Sequence, residues 1–184
     1  TEYLNAVLLY SLLQKQEHDF HLRLRPVRIA MPVNLRRFFP SKTLRNFITM
    51  VYPSIDPRLG DYTFEEIVTQ VHHYMRYYIN SKFLRGDITT NASTQRNPLI
   101  RIVPLFLKDF VVRQFYQRVQ DKNSSAGLTN VGAIRVPDDM KPYLERFDIY
   151  MGIPYSQRTN CAIVSFEDTL TVNFASCIIE ADVE

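Results

Sequence analysis

Residues 161–179 read CAIVSFEDTLTVNFASCII, two β-rich runs that meet at Glu167-Asp168. A two-residue loop there pairs Phe166 with Thr169, Ile163 with Val172 and Cys161 with Phe174, because the length of a hairpin loop sets its register. Strand side chains alternate between faces, so Cys161, Ile163, Leu170, Val172 and Phe174 share one face while Cys177 points to the other. These are the only two cysteines of the chain, and on opposite faces they are expected to remain thiols.

Upstream of the hairpin, GLTNVGAIRVP (127–137) and RFDIYMGIP (146–154) read as further strands. Residues 98–119 have a helical pattern with Ile102, Phe106, Phe110 and Val119 among the buried candidates, and Pro104 is expected to split it into a short and a longer helix. Earlier still, Thr63 and Glu66 form a Thr-x-x-Glu capping box at the start of a helix over 63–85, with Ile67, Val68, Val71, Met75, Tyr78 and Ile79 as its apolar stripe. Gly86 is expected to end that helix, leaving DITTNASTQRN as a polar connection. FITMVYPSI (47–55) and PVRIAMPV (26–33) read as proline-bounded strands, joined by NLRRFFPSKTLRN as an irregular connection with one helical turn. Leu4, Val7, Leu8 and Leu12 place an amphipathic helix over 1–18. Helices early and several strands late, without strict alternation, predict an α/β fold of the α+β type, a mixed β-sheet flanked by helices in a single domain over 1–184.

The 184 residues suffice for one substantial core, since a chain of this size buries about 70% of its unfolded surface. Apolar residues make up 46% and charged residues 22%, an ordinary globular composition. The net charge of +3, from 22 basic and 19 acidic side chains, is too small, and reads as too scattered along the chain, to imply nucleic acid or an anionic membrane as partner. RLRPVR and NLRR are the basic clusters, and both read as solvated strand ends and local ion pairs. No apolar run reaches the ~20 residues of a membrane span, and no charged-then-apolar leader opens the sequence, so a cytoplasmic protein is expected. The first residue is Thr, which suggests a piece of a longer chain.

His72-His73 invites a catalytic reading, but consecutive helical residues diverge by 100°. His72 lies beside Val68, Met75 and Ile79 at the core's edge, and His73 shares the polar face with Thr69 and Arg76. A helical pair with one half-buried imidazole satisfied by a hydrogen bond is therefore expected. Glu65 and Glu66 occupy a first turn, where carboxylates oppose the helix dipole favourably. There is no G-x-S-x-G elbow, phosphate loop or His-Glu-x-x-His, and no metal-ligand spacing. No catalytic residue is assigned in this chain.

Several segments, taken in order, resemble the C-terminal half of the chloramphenicol-acetyltransferase-like superfamily, in particular its bacterial alcohol acetyltransferases and condensation domains. They are TEYLNAVLLYSLL, MPVNLR, RNFITMVYPSI, GLTNVGAIRVP and CAIVSFEDTLTVNF. The resemblance implies one half of a two-part fold, with a tunnel between the halves and a His-His-x-x-x-Asp-Gly motif in the other half. Tyr77 and Tyr78 stand where that motif would need Asp and Gly after His72-His73, so the catalytic histidine is expected in a missing N-terminal half. The resemblance also implies an acyl-CoA co-substrate, a small alcohol acceptor and a bracing role for Arg36, with Arg37 as fallback, toward the motif's aspartate. Asn34, Thr129, Asn130 and Gly132 become candidates for the tunnel wall; a β-bulge with Asn in a turn accounts for 129–132 equally well. Gly132 within a β run also suits close approach of another backbone or a ligand. An amide-forming condensation half and a non-catalytic binding or scaffolding module are the alternatives. The isolated piece is expected to be inactive and to bury its exposed face in a homodimer. If it were active alone, His72, His73, His18 and His21 would be the histidines to re-examine.

Overall fold

The computed structural model describes residues 1–18, 24–96, 124–153 and 159–177, together with 104, 105, 107, 109, 110, 113 and 114. The elements are α1 (Glu2–His18), β1 (Val27–Asn34), β2 (Ile48–Val51), β3 (Ser54–Ile55), α2 (Phe64–Tyr78), α3 (Ser81–Arg96), β4 (Ala126–Ala133), β5 (Thr159–Phe166) and β6 (Thr169–Ser176). The sheet runs β2-β1-β4-β5-β6, with β3 also on β1. The β1–β4 and β4–β5 pairs are parallel and the others antiparallel. This is a mixed sheet flanked by helices, as the order of patterns predicts.

The core lies between one sheet face and α1 and α2, and gathers Leu9, Leu13, Ile29, Met31, Ile67, Val71, Leu128, Cys161 and Ile163. In α1 the buried line runs through Asn5, Leu9 and Leu13, with Ala6 and Leu8 beside it. Val7, expected inside, is exposed at 37%. Helix α1 is apolar on several sides, so its period alone does not select the inward face; contact with both β1 and α2 does. Helix α2 starts at the capping box: Thr63 N–H donates to Glu66 Oε2 at 2.8 Å and Glu66 N–H to Thr63 Oγ1 at 3.3 Å.

Gly86 does not end a helix. The break comes at residues 79–80, where the Asn80 side chain accepts from Lys82 N–H (3.0 Å) and Phe83 N–H (2.9 Å) and so starts α3. The supposed polar connection DITTNASTQRN continues α3 to Arg96, with the Thr89 and Thr90 hydroxyls donating to carbonyls one turn back. Residues 47–55 likewise form two strands rather than one: they keep a single register along β1, and Ile29 N–H donates to Pro53 O (3.1 Å), but Pro53 has no N–H to return to the ladder. Within the 98–119 pattern, residues 105, 107, 109, 110, 113 and 114 are helical. Phe110 is exposed at 63% rather than buried. Ile102, Phe106 and Val119 lie outside the described residues.

Residues 146–153 do not form the expected strand. They cross the sheet face opposite α1 and α2, where the Phe147 ring meets Phe166 at 5.1 Å. Side-chain amides take the place of a neighbouring strand: Asn160 Nδ2 donates to Gly152 O (2.9 Å) and Asn173 Nδ2 to Ile149 O (3.3 Å).

The hairpin register is the predicted one, from Phe166↔Thr169 to Cys161↔Phe174. Its first loop residue, Glu167, has φ +50°, a conformation that favours glycine. Its only anchor among the described residues is an exposed ion pair with Lys141 at 3.4 Å, which contributes little. Glu167→Gly is therefore expected to raise stability by about 0.5–1 kcal/mol, read as the midpoint of urea unfolding. A fall in midpoint would mean that the Lys141 contact outweighs the strain.

Candidate functional site

Strands β1 and β4 run parallel but pair only at Ile29↔Ala126 and Ala30↔Gly127. Beyond those pairs β1 continues with β2 on its other edge, through Met31↔Val51 to Asn34↔Ile48, while β4 stays with β5 as far as Ala133↔Ser165. The two strands thus part toward their carboxyl ends, the end at which open sheets with parallel strands commonly bind ligands. The sequence-derived candidates fall there, Asn34 and Arg36 after β1 and Thr129, Asn130 and Gly132 on β4. No hydrogen bond joins the two groups among the described residues.

At the end of β1, Asn34 Oδ1 accepts from Arg36 N–H at 3.0 Å and caps a single 3-10 turn over Leu35–Arg37. The exposed Arg36 side chain folds over the following loop, and Nη2 donates to Thr43 O (2.9 Å) and Arg45 O (2.6 Å). Both bidentate edges of a guanidinium include Nη2, so clamping a carboxylate through two nitrogens would displace one of these carbonyls. Nε and Nη1 remain without a partner among the described residues. Arg37 is exposed beside it.

On β4 the register shifts between Asn130 and Gly132, a β-bulge. Asn130 Oδ1 accepts from Gly132 N–H (2.9 Å) and its Nδ2 donates to Thr1 Oγ1 (3.0 Å). Gly132 has φ +82°, and a Cβ built there would meet nothing within 4 Å. Backbone conformation, rather than close approach of another group, therefore calls for glycine. Thr129 is half-buried and pairs with Ala162.

The doubled histidine is helical, within α2. His72 Nδ1 lies 2.7 Å from Glu2 Oε2, tying α2 to the start of α1. The His73 ring stands edge-on to it at 5.7 Å and borders a shallow depression with Glu65, Glu66, Thr69 and Gln70. His18 is exposed at the end of α1, and His21 lies outside the described residues.

Two buried asparagines escaped the sequence reading. Asn5, at 0% exposure, offers Nδ2 to Met31 Sδ (3.8 Å), and its Oδ1 has no partner among the described residues. Asn160 Oδ1, beneath residues 146–153, likewise has no partner among the described residues. The available signal was a polar residue inside the apolar run YLNAVLL.

Cys161 is buried and Cys177 exposed. Burial pushes the Cys161 thiol up to about 11, so it stays protonated and unreactive near neutrality. A disulfide-exchange reagent is expected to label Cys177 promptly and Cys161 only after unfolding. The folded thiol is the weaker acid, so the unfolded chain loses its proton first. Stability should consequently fall between the ordinary thiol range and about pH 11. Prompt labelling of two thiols in native protein would contradict the burial.

Among the described residues, no helix is long and apolar enough to cross a membrane. No protein-family model matches the chain, and no curated protein matches it.

Proposed function

We propose that this chain is the C-terminal half of a CoA-dependent O-acyltransferase of the alcohol-acetyltransferase kind, one half of a chloramphenicol-acetyltransferase-like fold working in the cytoplasm. The observation that carries the reading is the ordered series of resembling segments. Four of them coincide with α1, β1 with its Asn34–Arg36 end, β4 with its bulge, and the β5–β6 hairpin. The parting of β1 and β4 adds a place where a tunnel wall could form.

On this reading, a histidine from the N-terminal half takes the proton of a small alcohol. The oxygen then attacks the thioester carbonyl of acyl-CoA, and the tetrahedral intermediate expels CoA as its thiol or thiolate. Thr129, Asn130 and Gly132 line the tunnel near the acyl donor. Arg36 holds the loop after β1 and, through Nε or Nη1, steadies the carboxylate of the partner half's motif. Asn34 sets the 3-10 turn that aims it.

The test uses the longest polypeptide that contains this chain, with acetyl-CoA, a short alcohol and a colorimetric readout of released CoA. Arg36→Ala is expected to lower kcat by about ten- to hundredfold while leaving KM for acetyl-CoA within about twofold, because it disturbs the base and not the donor. No acyl transfer, together with no His-His-x-x-x-Asp-Gly upstream, would overturn the reading. An equal and small change in both constants would remove Arg36 from it.

A further inference from the structure

The cations are less scattered than the net charge suggests. Residues 20–55 contain Arg23, Arg25, Arg28, Arg36, Arg37, Lys42 and Arg45 and no Asp or Glu; the rest of the chain has fifteen basic against nineteen acidic side chains, a net of −4. The loop between β1 and β2 presents four of these cations within ten residues. Arg36, Arg37, Lys42 and Arg45 are all exposed, and the described ion pairs include none of them. The loop has a defined shape, because the Arg36 side chain ties its start to the carbonyls of Thr43 and Arg45. A fifth cation stands beside it, with Arg85 of α3 6.0 Å above the Phe39 ring.

At the far side of this loop, between Lys42 and Arg45, Leu44 is fully exposed, at 102%. Beyond it the edge strand β2 exposes Ile48 (48%) and Met50 (38%), which alternation places on one face. A leucine fully exposed to solvent, set among cations that have no carboxylate partner among the described residues, does not contribute to folding. It does match a surface with negative headgroups above an apolar layer.

We propose that the loop over residues 35–47, with the exposed edge of β2, docks the protein on an anionic phospholipid surface. Arg37, Lys42 and Arg45 meet the phosphate and carboxylate headgroups, Leu44 enters the acyl boundary, and Arg36 maintains the shape of the loop. A nucleic acid would use the cations but gives a lone aliphatic tip nothing to enter. This inference does not depend on the acyltransferase reading, and its test needs no catalysis.

The 184-residue protein is to be co-sedimented with large vesicles of equimolar phosphatidylserine and phosphatidylcholine, and with vesicles of phosphatidylcholine alone. Binding is expected to the anionic vesicles only and to weaken as salt is raised. Lys42→Glu with Arg45→Glu should lower the partition coefficient at least twenty-fold, at about fivefold for each cation removed. Leu44→Asp should lower it at least tenfold with an unchanged thermal midpoint, since the side chain touches nothing that folding needs. Equal binding to neutral vesicles, or full binding by Leu44→Asp, would overturn the proposal. So would retention by a DNA oligonucleotide with no vesicle binding.

Discussion

Leu9→Ala is expected to cost about 2–5 kcal/mol of stability, whereas Leu44→Ala should change it by less than about 0.5 kcal/mol. Leu9 is at 0% exposure in the middle of the inward line of α1, and Leu44 is at 102%. Truncating Leu9 removes apolar atoms and leaves a cavity in the core cluster to which the sheet contributes Ile29, Leu128 and Ile163. Those strands are fixed by ladders on both sides and can collapse only partly into the space. Urea unfolding of the two variants measures the difference directly. If the two leucines proved equivalent, α1 would not pack on this sheet, and the order of layers would be wrong.

The contrast also shows what in this fold was legible from the sequence. The β5–β6 hairpin was readable because period-two alternation and a two-residue loop leave a single register that buries Cys161 and Ile163. The start of α2 was readable because a capping box is local, contained within four residues. The boundary between α2 and α3 was not, because glycine is only a weak helix breaker, and Asn80 acts as a cap only once the chain has turned. Nor was the loss of a strand at 146–153. Its residues alternate like a strand, but the amides of Asn160 and Asn173, distant in sequence or on another element, satisfy its carbonyls instead.

The candidate site divides along the same line. Asn34 and Asn130 were picked out through the resemblance as candidates for a tunnel wall, and their local bonds to Arg36 N–H and Gly132 N–H account for both positions structurally. The role of Gly132 follows from a φ value, which a sequence does not display. The partners of Arg36 are carbonyls seven and nine residues away in an irregular loop, and no periodicity marks such contacts. Conversely, the exposure of Leu44, on which the proposed docking of the basic segment rests, was not legible, because charge spacing alone does not reveal what stands between the charges.

Asn5 provides the sharpest test of the core, since two substitutions there should move stability in opposite directions. Among the described residues its buried Oδ1 has no partner and its Nδ2 has only the Met31 sulfur at 3.8 Å, a weak acceptor. Burying such an amide costs about 1–3 kcal/mol. Asn5→Ala removes that cost and gains helix propensity of about half a kcal/mol, against a small cavity of about 1 kcal/mol. A net gain of about 1 kcal/mol is expected. Asn5→Asp keeps the shape but places a carboxylate where no cation or donor among the described residues meets the side-chain oxygen. At pH 7 it should cost at least about 3 kcal/mol. Burial would raise the folded pKa of that aspartate, so the unfolded chain would lose its proton first, and the deficit should grow as pH rises above about 4. Acidification toward that value should recover much of the loss relative to wild type at the same pH. If Asn5→Ala instead destabilised the protein by more than about 1 kcal/mol, Oδ1 would have to accept a hydrogen bond in solution. A buried water between α1 and Met31 would then be part of the fold where β1 and β4 part.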